Sequence, residues 1–438
     1  DFIGKEEMPE GISEVLGTAA QRLCARGKAT YIQPSDLLAA IRCDFSDHNV
    51  IAAEDEIEDI LVRLFPEANR LEVETFHPEQ ATWNVSSVPR PKNVILRVAE
   101  TVDGVRRQPK VVKLARAEKM ETEVRRFYKH INGRLVGTYH PTLEKNAILW
   151  NLGGAVYTML GEASEGVRQF SNVYSHEPPE VIQPILSQFF GETWSDLYTT
   201  TREYIEASLF TAYCTVWGDK WFNERVKGFS KRHAKDWMQT GDWPEYTTPE
   251  PMQWLIDQVD RTTDASRLPQ VGMAATHGDL HGDNLLIDRN NHAWVIDFER
   301  SGPGPILQDL IELEADILNR LTCNSFNRAD FYRLCILVLR EEDLQPNAET
   351  TCLSSPEARK ALDVITFLRR LAGEYIHPQS DAREYLWGLL FNALFRASIS
   401  DVNTDHCLDR PLRLAGMICH RLEHWGAPWP PTNWPTID

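Results

Sequence analysis

The sequence predicts a mixed α+β protein built in two main parts, with a short helical stretch in front. Three observations predict it. Between Leu71 and about Leu160 the chain runs in short apolar and β-branched segments. From about Gly161 to Asp438 helical spacing dominates, Trp-rich and broken by a single hairpin-like pair near residues 284 to 297. The 438 residues, 42% hydrophobic and 25% charged, match a globular chain too long for a single core, which rarely grows past roughly 250 to 300 residues.

The first stretch, residues 1 to 70, reads as three helices. They cover Gly11 to Arg26, Pro34 to Ile41 led by Ser35, and Glu54 to Phe65, the last stopped by Pro66. Fourteen acids stand here against seven bases. That balance argues against a nucleic-acid reader and for an acidic accessory module that docks a protein partner.

Residues 71 to 160 carry strands at Leu71 to Phe76, Asn93 to Val102, Lys110 to Ala115, Ala147 to Leu152 and Ala155 to Leu160. Asp103-Gly104 is a strong two-residue hairpin loop, and pairing about it puts Glu100 opposite Arg107. One helix interrupts the strands, about Glu118 to Ile131, with Met120, Val124, Phe127 and Ile131 on its buried stripe. Glu121 and Glu123 both flank that stripe, and periodicity does not choose between them. In the strand before it, Lys113 sits among Val111, Val112, Leu114 and Ala115, a charge in apolar company.

Charge and cysteine usage exclude several function classes. Lys plus Arg total 46 against 64 for Asp plus Glu, a formal charge of −18, so the body repels a phosphate backbone and nucleic acid is not expected as partner. No apolar run approaches the roughly 20 residues of a membrane span. The eight cysteines show no metal spacing and are read as reduced thiols of a cytoplasmic protein. The opening Asp1-Phe2-Ile3-Gly4-Lys5 has no secretory pattern, and with no initial Met the natural start is expected upstream.

The most informative stretch is His277-Gly278-Asp279-Leu280-His281-Gly282-Asp283-Asn284, followed by Leu285-Leu286-Ile287-Asp288, Arg289-Asn290-Asn291-His292 and Ala293-Trp294-Val295-Ile296-Asp297-Phe298-Glu299. Asn tolerates the left-handed backbone of tight hairpins. A two-residue loop at Asn290-Asn291 therefore sets Asn284 directly opposite Asp297. With Asp279 just before, three hard oxygen donors gather at one end of a hairpin, which suits Mg²⁺ and phosphate chemistry.

This pattern resembles the aminoglycoside phosphotransferase and choline kinase branch of the protein-kinase-like fold, over about residues 71 to 320. The resemblance implies a two-lobed α+β fold, a small β-rich lobe followed by a large helical one, and transfer of the γ-phosphate of ATP to a hydroxyl of a small molecule, cationic in one reading. By that resemblance Asp279 is the catalytic base, His277 braces its loop, and Asn284 and Asp297 hold Mg²⁺. Lys113 is the phosphate lysine and Glu123, by its spacing ahead of Phe127-Tyr128, its carboxylate partner. Main-chain groups around Leu160, with Gly161 and Glu162, meet adenine where the lobes join. Asp309, in a helix from Ile306 to Asn319 after a rigid Ser301-Gly302-Pro303-Gly304-Pro305 turn, braces the catalytic loop. Only 11 residues separate Asp297 from Asp309, too few for a long regulatory segment.

The chain departs from the family at residues 77 to 92, which contain no glycine where a glycine-bearing turn ordinarily covers the phosphates. That departure sustains a rival, an inactive kinase-shaped binding or scaffold module of a multidomain bacterial signalling or defence protein. A metallophosphoesterase, suggested by Gly278-Asp279-Leu280-His281-Gly282, lacks its later ligand motifs. His420 and His424 read as a solvated or packed C-terminal helix rather than a metal pair, and Trp217, Trp221, Phe222 and Trp237 as core. Glu314 and Asp316 read either as the lining of a cation pocket or as a solvated acidic face.

Overall fold

The structure is a computed structural model and describes residues 28–31, 54–76, 94–135, 141–149, 151–158, 167–218, 220–228, 244, 246–259, 264–340, 343–344, 352–399 and 409–435. The chain divides into two compact units. One comprises Asp1–Pro78, Pro89–Phe127 and Pro141–Glu165, the other Glu79–Val88, Tyr128–His140 and Gly166–Asp438.

In the first unit β1 (Ala29–Tyr31), β2 (Arg70–Thr75), β3 (Val94–Val102), β4 (Val105–Arg106), β5 (Lys110–Arg116), β6 (Leu143–Leu149) and β7 (Leu152–Tyr157) form a seven-stranded sheet, ordered β1-β2-β3-β5-β7-β6 with β4 on β3. β1 runs parallel to β2, and the other pairings are antiparallel. Asp103 and Gly104 both take positive φ, 50° and 79°, so the two-residue turn closes β3 on β4 as its sequence requires. Arg107 N–H donates to Glu100 O at 2.8 Å, and the two side chains lie 3.8 Å apart.

Helices α1 (Glu54–Leu64) and α2 (Ala117–Arg126) complete the described part of this unit; a π-helical turn follows α2 over Phe127–Ile131. Ile57, Ile60, Leu61, Leu64 and Phe65 share one apolar core with Leu71, Val73, Leu96, Val112, Leu114 and Val156. The described part of residues 1 to 70 is thus packed into the sheet. The helices expected at 11 to 26 and 34 to 41, and the loop at 77 to 92, lie outside the described residues.

The last two strands differ from expectation. Gly153 and Gly154, which fell between the strands expected at 147 to 152 and 155 to 160, lie inside β7. A Cβ on Gly153 would stand 2.3 Å from Met120 Cβ, and one on Gly154 would stand 2.8 Å from Leu64 Cδ1. The pair is there to admit helices against the strand, not to make a turn.

The second unit holds two small sheets among helices. β8 (Arg168–Gln169), β11 (Leu285–Ile287) and β12 (Ala293–Val295) pair in the order β12-β11-β8; β9 (Glu203–Ser208), β10 (Arg267–Thr276) and β13 (Gly302–Pro305) pair as β13-β10-β9. The helices are α3 (Phe170–His176), α4 (Pro179–Gln188), α5 (Ser195–Thr201), α6 (Leu209–Trp217), α7 (Pro251–Val259), α8 (Gln308–Asp316), α9 (Arg328–Val338), α10 (Pro356–Gly373), α11 (Arg383–Ile399) and α12 (Asp409–Glu423). The Gly302-Pro303-Gly304-Pro305 run, expected as a turn, is a strand: Thr276 pairs with Gly302 and Met273 with Pro305. β13 is an edge strand of its sheet, where prolines without an N–H are tolerated.

No helix among the described residues is long and apolar enough to cross a membrane. Cys335 and Cys419 are buried thiols, whereas Cys323 is disulfide-bonded. That corrects the expectation of reduced cysteines throughout, which rested on spacing along the chain; a disulfide needs only proximity in space.

Candidate active site

In the first unit β5 is buried on both faces, and Lys113 on it is 4% exposed. Its Nζ donates to Glu123 Oε2 at 2.7 Å, and Tyr157 O–H donates to Glu123 Oε1, also at 2.7 Å. The ring of Phe127 meets that of Tyr157 edge-on, 6.2 Å between centroids. Glu123 is buried and Glu121 exposed, so the geometry separates two acids that helical periodicity left equivalent. Removing one partner of such a buried pair strands the other charge, at a cost of about 3 to 5 kcal/mol. Leu160 and Glu162 lie outside the described residues.

In the second unit the loop after β10 is held by its backbone. Asp309 takes His277 N–H and Gly278 N–H, at 2.8 and 2.9 Å, one on each oxygen, plus Tyr198 O–H at 2.7 Å. Glu312 takes Leu280 N–H at 2.6 Å, and Asp316 takes Gly282 N–H at 2.8 Å. These acids follow each other at spacings of three and four, one face of α8, and each receives a successive piece of the loop. Gly278 has φ 78°, and a Cβ there would lie 2.7 Å from Arg300 O, so only glycine fits.

Buried His277 meets Trp194 and Phe298 edge-on, and its Nε2 lies 3.0 Å from Ile296 O. Burial lowers its pKa, against the pull of Asp309, Asp279 and Asp297, and because its partner is a carbonyl the neutral ring carries its proton on Nε2. His281 turns back on the loop, its Nδ1 accepting Asp283 N–H at 3.3 Å.

Asp279 stays partly exposed, its Oδ1 accepting from Arg300 Nη1 at 3.1 Å. Burial alone would depress the Arg300 pKa; Asp279, Glu312, Glu299 and Asp297 together raise it. Burial first, then Asp309 and Asp279, push the Glu312 carboxyl up to about 8. Asn284 Nδ2 donates to Asp279 O at 2.9 Å, which fixes the amide with its oxygen as the remaining donor atom for a cation.

The hairpin register corrects one expectation. Leu285 pairs with Val295 and Ile287 with Ala293, so Asn284 stands opposite Ile296, not Asp297. The loop has three residues, Arg289 to Asn291, of which only Asn291 takes positive φ, 63°, and Asp288 Oδ1 collects the N–H groups of Asn290 and His292 at 2.8 and 2.9 Å. Asp297 follows the strand with φ 72° and ψ 76°, a left-handed turn that takes it out of strand alternation. Among the described residues no group of three or more His, Cys, Asp or Glu is placed to hold a metal ion. The oxygen donors Asn284 and Asp297 fit Mg²⁺, which keeps several waters and needs only one or two protein carboxylates.

The other acids flagged in the sequence are engaged elsewhere. Glu314 is fully buried, bonded to Arg369 at 2.6 and 2.9 Å and to Tyr385 O–H at 2.7 Å. Asp316 is clasped by Arg320 through two 2.6 Å bonds and held down to about 2, since Arg320 and His281 outweigh its burial. Arg320 also reaches Asp283 at 2.9 Å, whose other oxygen takes Ser171 O–H at 2.7 Å. Neither acid forms a solvated face. His420 and His424 stack at 4.3 Å; Trp221 and Phe222 are buried, and Trp237 lies outside the described residues. Sequence reading missed Tyr157, Arg300 and Glu312. Only Glu312 left a signal, as the middle of three acids on one helical face.

Residues 224–396 match the family model described as ternary complex associated domain 9. No curated protein matches the sequence. Among solved structures the chain is similar to a thermostable mutant of the aminoglycoside phosphotransferase APH(4)-Ia, in ternary complex with ADP and hygromycin B, at 12% identity and TM-score 0.42, over 84% of this chain and 97% of that one. It is similar also to a Plasmodium vivax ethanolamine kinase, at 10% identity and TM-score 0.37 over 96% of each. The amicoumacin kinase hAmiN, in complex with AMP-PNP, Ca²⁺ and Ami, follows at 14% and 0.36, over 80% and 89%. The described residues form a mixed α+β fold. Its sheet carries on an inner strand a lysine paired to the next helix, and a hairpin follows the His-Gly-Asp loop.

Proposed function

We propose that the chain is an ATP- and Mg²⁺-dependent phosphotransferase that phosphorylates a hydroxyl of a small molecule, in the cytoplasm where ATP is supplied. One observation carries the reading. Four backbone N–H groups of the loop, those of His277, Gly278, Leu280 and Gly282, run inward to acids of α8, while the Asp279 carboxylate stays partly exposed.

In this reading Asp279 orients the acceptor hydroxyl and takes its proton. The acceptor oxygen bonds to the γ-phosphorus as the bond from that phosphorus to the bridging oxygen breaks, giving ADP, a phosphate monoester and a proton. Lys113, fixed by Glu123, neutralises phosphate charge, and Glu123 is itself held by Tyr157. Asn284 and Asp297 would hold Mg²⁺, which supplies charge neutralisation when bound. Neutral His277 keeps the loop and the hairpin together through Ile296.

A second reading, a kinase-shaped binding module, is favoured by the Asp279–Arg300 ion pair, since a carboxylate already engaged with a cation is a poorer base. Calorimetric titration with Mg²⁺ and AMP-PNP, together with ADP release over a panel of hydroxyl compounds, separates the two. Phosphotransfer requires nucleotide binding in the parent and in Asp279→Asn, with turnover lowered in the variant by roughly 10²- to 10⁴-fold. Turnover that survives Asp279→Asn at full rate defeats the reading; nucleotide binding without turnover on any acceptor leaves the binding module.

A further inference from the structure

We propose that the acceptor carries an anionic group, a carboxylate or phosphate, bound beside Asp279 on a platform made by Phe395, Trp217, Arg225 and Arg300. This rests on the phosphotransfer reading and names its acceptor class. The Arg300 and Arg225 guanidiniums lie 5.7 and 5.6 Å from the centroid of one ring, Phe395. The Trp217 ring packs on Phe395 at 4.9 Å and 32°. Its Nε1 donates to Glu312 Oε1 at 3.1 Å, and the other oxygen of Glu312 takes Leu280 N–H, so the platform is tied to the residue next to Asp279.

Charge and exposure then select the ligand. Phe395, Trp217 and Arg300 are partly exposed and Arg225 is exposed. Arg225 has no acidic partner among the described residues; ring contact alone positions it. Both guanidiniums lie within 6 Å of the same ring centroid, and an anion that reached both would accept charge-assisted hydrogen bonds from each. Glu224 lies beside Arg225 and Lys227, and Asp279, Glu312, Glu299 and Asp297 act on Arg300, so Arg225 is the cation of the platform with charge to spare. The acids that a cationic acceptor would seek are occupied within the chain: Asp283 and Asp316 by Arg320, Glu314 by Arg369. The cationic acceptor expected from sequence has no unoccupied carboxylate among these, whereas a negative group has the Arg225 guanidinium, with Arg300 against the same ring.

The test titrates the full chain by calorimetry with glycerol 3-phosphate, with ethanolamine, and separately with Mg²⁺ and AMP-PNP. Glycerol 3-phosphate is expected to bind and ethanolamine not, and Arg225→Glu to weaken the phosphate ester by about tenfold or more. Arg225→Gln, with an intermediate loss, guards against a folding defect in the charge reversal. Preference for ethanolamine, no binding of either probe, or an affinity for glycerol 3-phosphate unchanged in both variants overturns the proposal. Failure of AMP-PNP alone overturns the phosphotransfer reading and leaves the anion site judged by its own titration.

Discussion

Glu384 is an acid that the fold keeps uncharged. It is 2% exposed at the start of α11, and among the described residues neither carboxyl oxygen has a hydrogen-bond partner of ordinary geometry. Burial pushes it up to about 8, which the nearby Gly272 amide opposes only in part. The native state therefore keeps a proton that the unfolded chain releases above its ordinary value of 4.5. Linkage then makes this residue's contribution fall as pH rises from the unfolded value towards about 8. Glu384→Gln should stabilise the protein at pH 8, on the order of one to a few kcal/mol, and flatten its stability over that window, measured by urea unfolding at several pH values. A variant that tracks the parent at every pH counts against a protonated Glu384. Nothing in the sequence marked this position, because an acid near a helix N-terminus ordinarily signals a solvated first turn. Lys113 was legible because a charge inside an apolar strand run is unusual. Its partner was not: 100° per residue leaves Glu121 and Glu123 symmetric until the sheet shows which side is covered.

Between elements, α2 approaches β7 closely at Gly153. Gly153→Ala puts a Cβ where Met120 Cβ already stands, 2.3 Å away, so the backbone itself must move. The expected loss is about 1 to 3 kcal/mol or more, read from thermal or urea unfolding. Met120→Ala in the same chain should not restore it, since the clash is with a Cβ that alanine keeps; full rescue would contradict the packing described. At this scale the two hairpins show what sequence does and does not carry. Asp103-Gly104 supplies two residues able to take positive φ, and the register follows. At Asn290-Asn291 the same counting slipped by one, because Asp288 caps the loop and only Asn291 turns left-handed. Neither β9 nor β10 was foreseen: one is short and the other carries Pro269 and Gly272, both poor strand signals.

For the whole molecule, the strands β2, β3 and β5, the helix that follows them and the presence of the late hairpin were readable from the apolar pattern. What escaped was mostly long-range: arginines that close on acids far along the chain, such as Arg369 on Glu314 and Arg320 on Asp283. If the chain binds nucleotide through Asn284 and Asp297, AMP-PNP with Mg²⁺ should raise its melting temperature. Binding at 100 times Kd is worth about 2.7 kcal/mol. Chelation with EDTA should abolish the shift, and Asp297→Ala should do the same with Mg²⁺ present; a shift that ignores both would remove these residues from metal binding.

Strand β1 has one more implication, for anyone shortening this protein. Ala29–Tyr31 covers the outer margin of β2, and α1 seals the apolar side of the same sheet. A version starting at residue 66 would uncover a row of main-chain donors and acceptors beside bare aliphatic surface, the template on which separate copies zip together. Clumping of such a truncated product would then reflect the cut rather than any weakness of the parent.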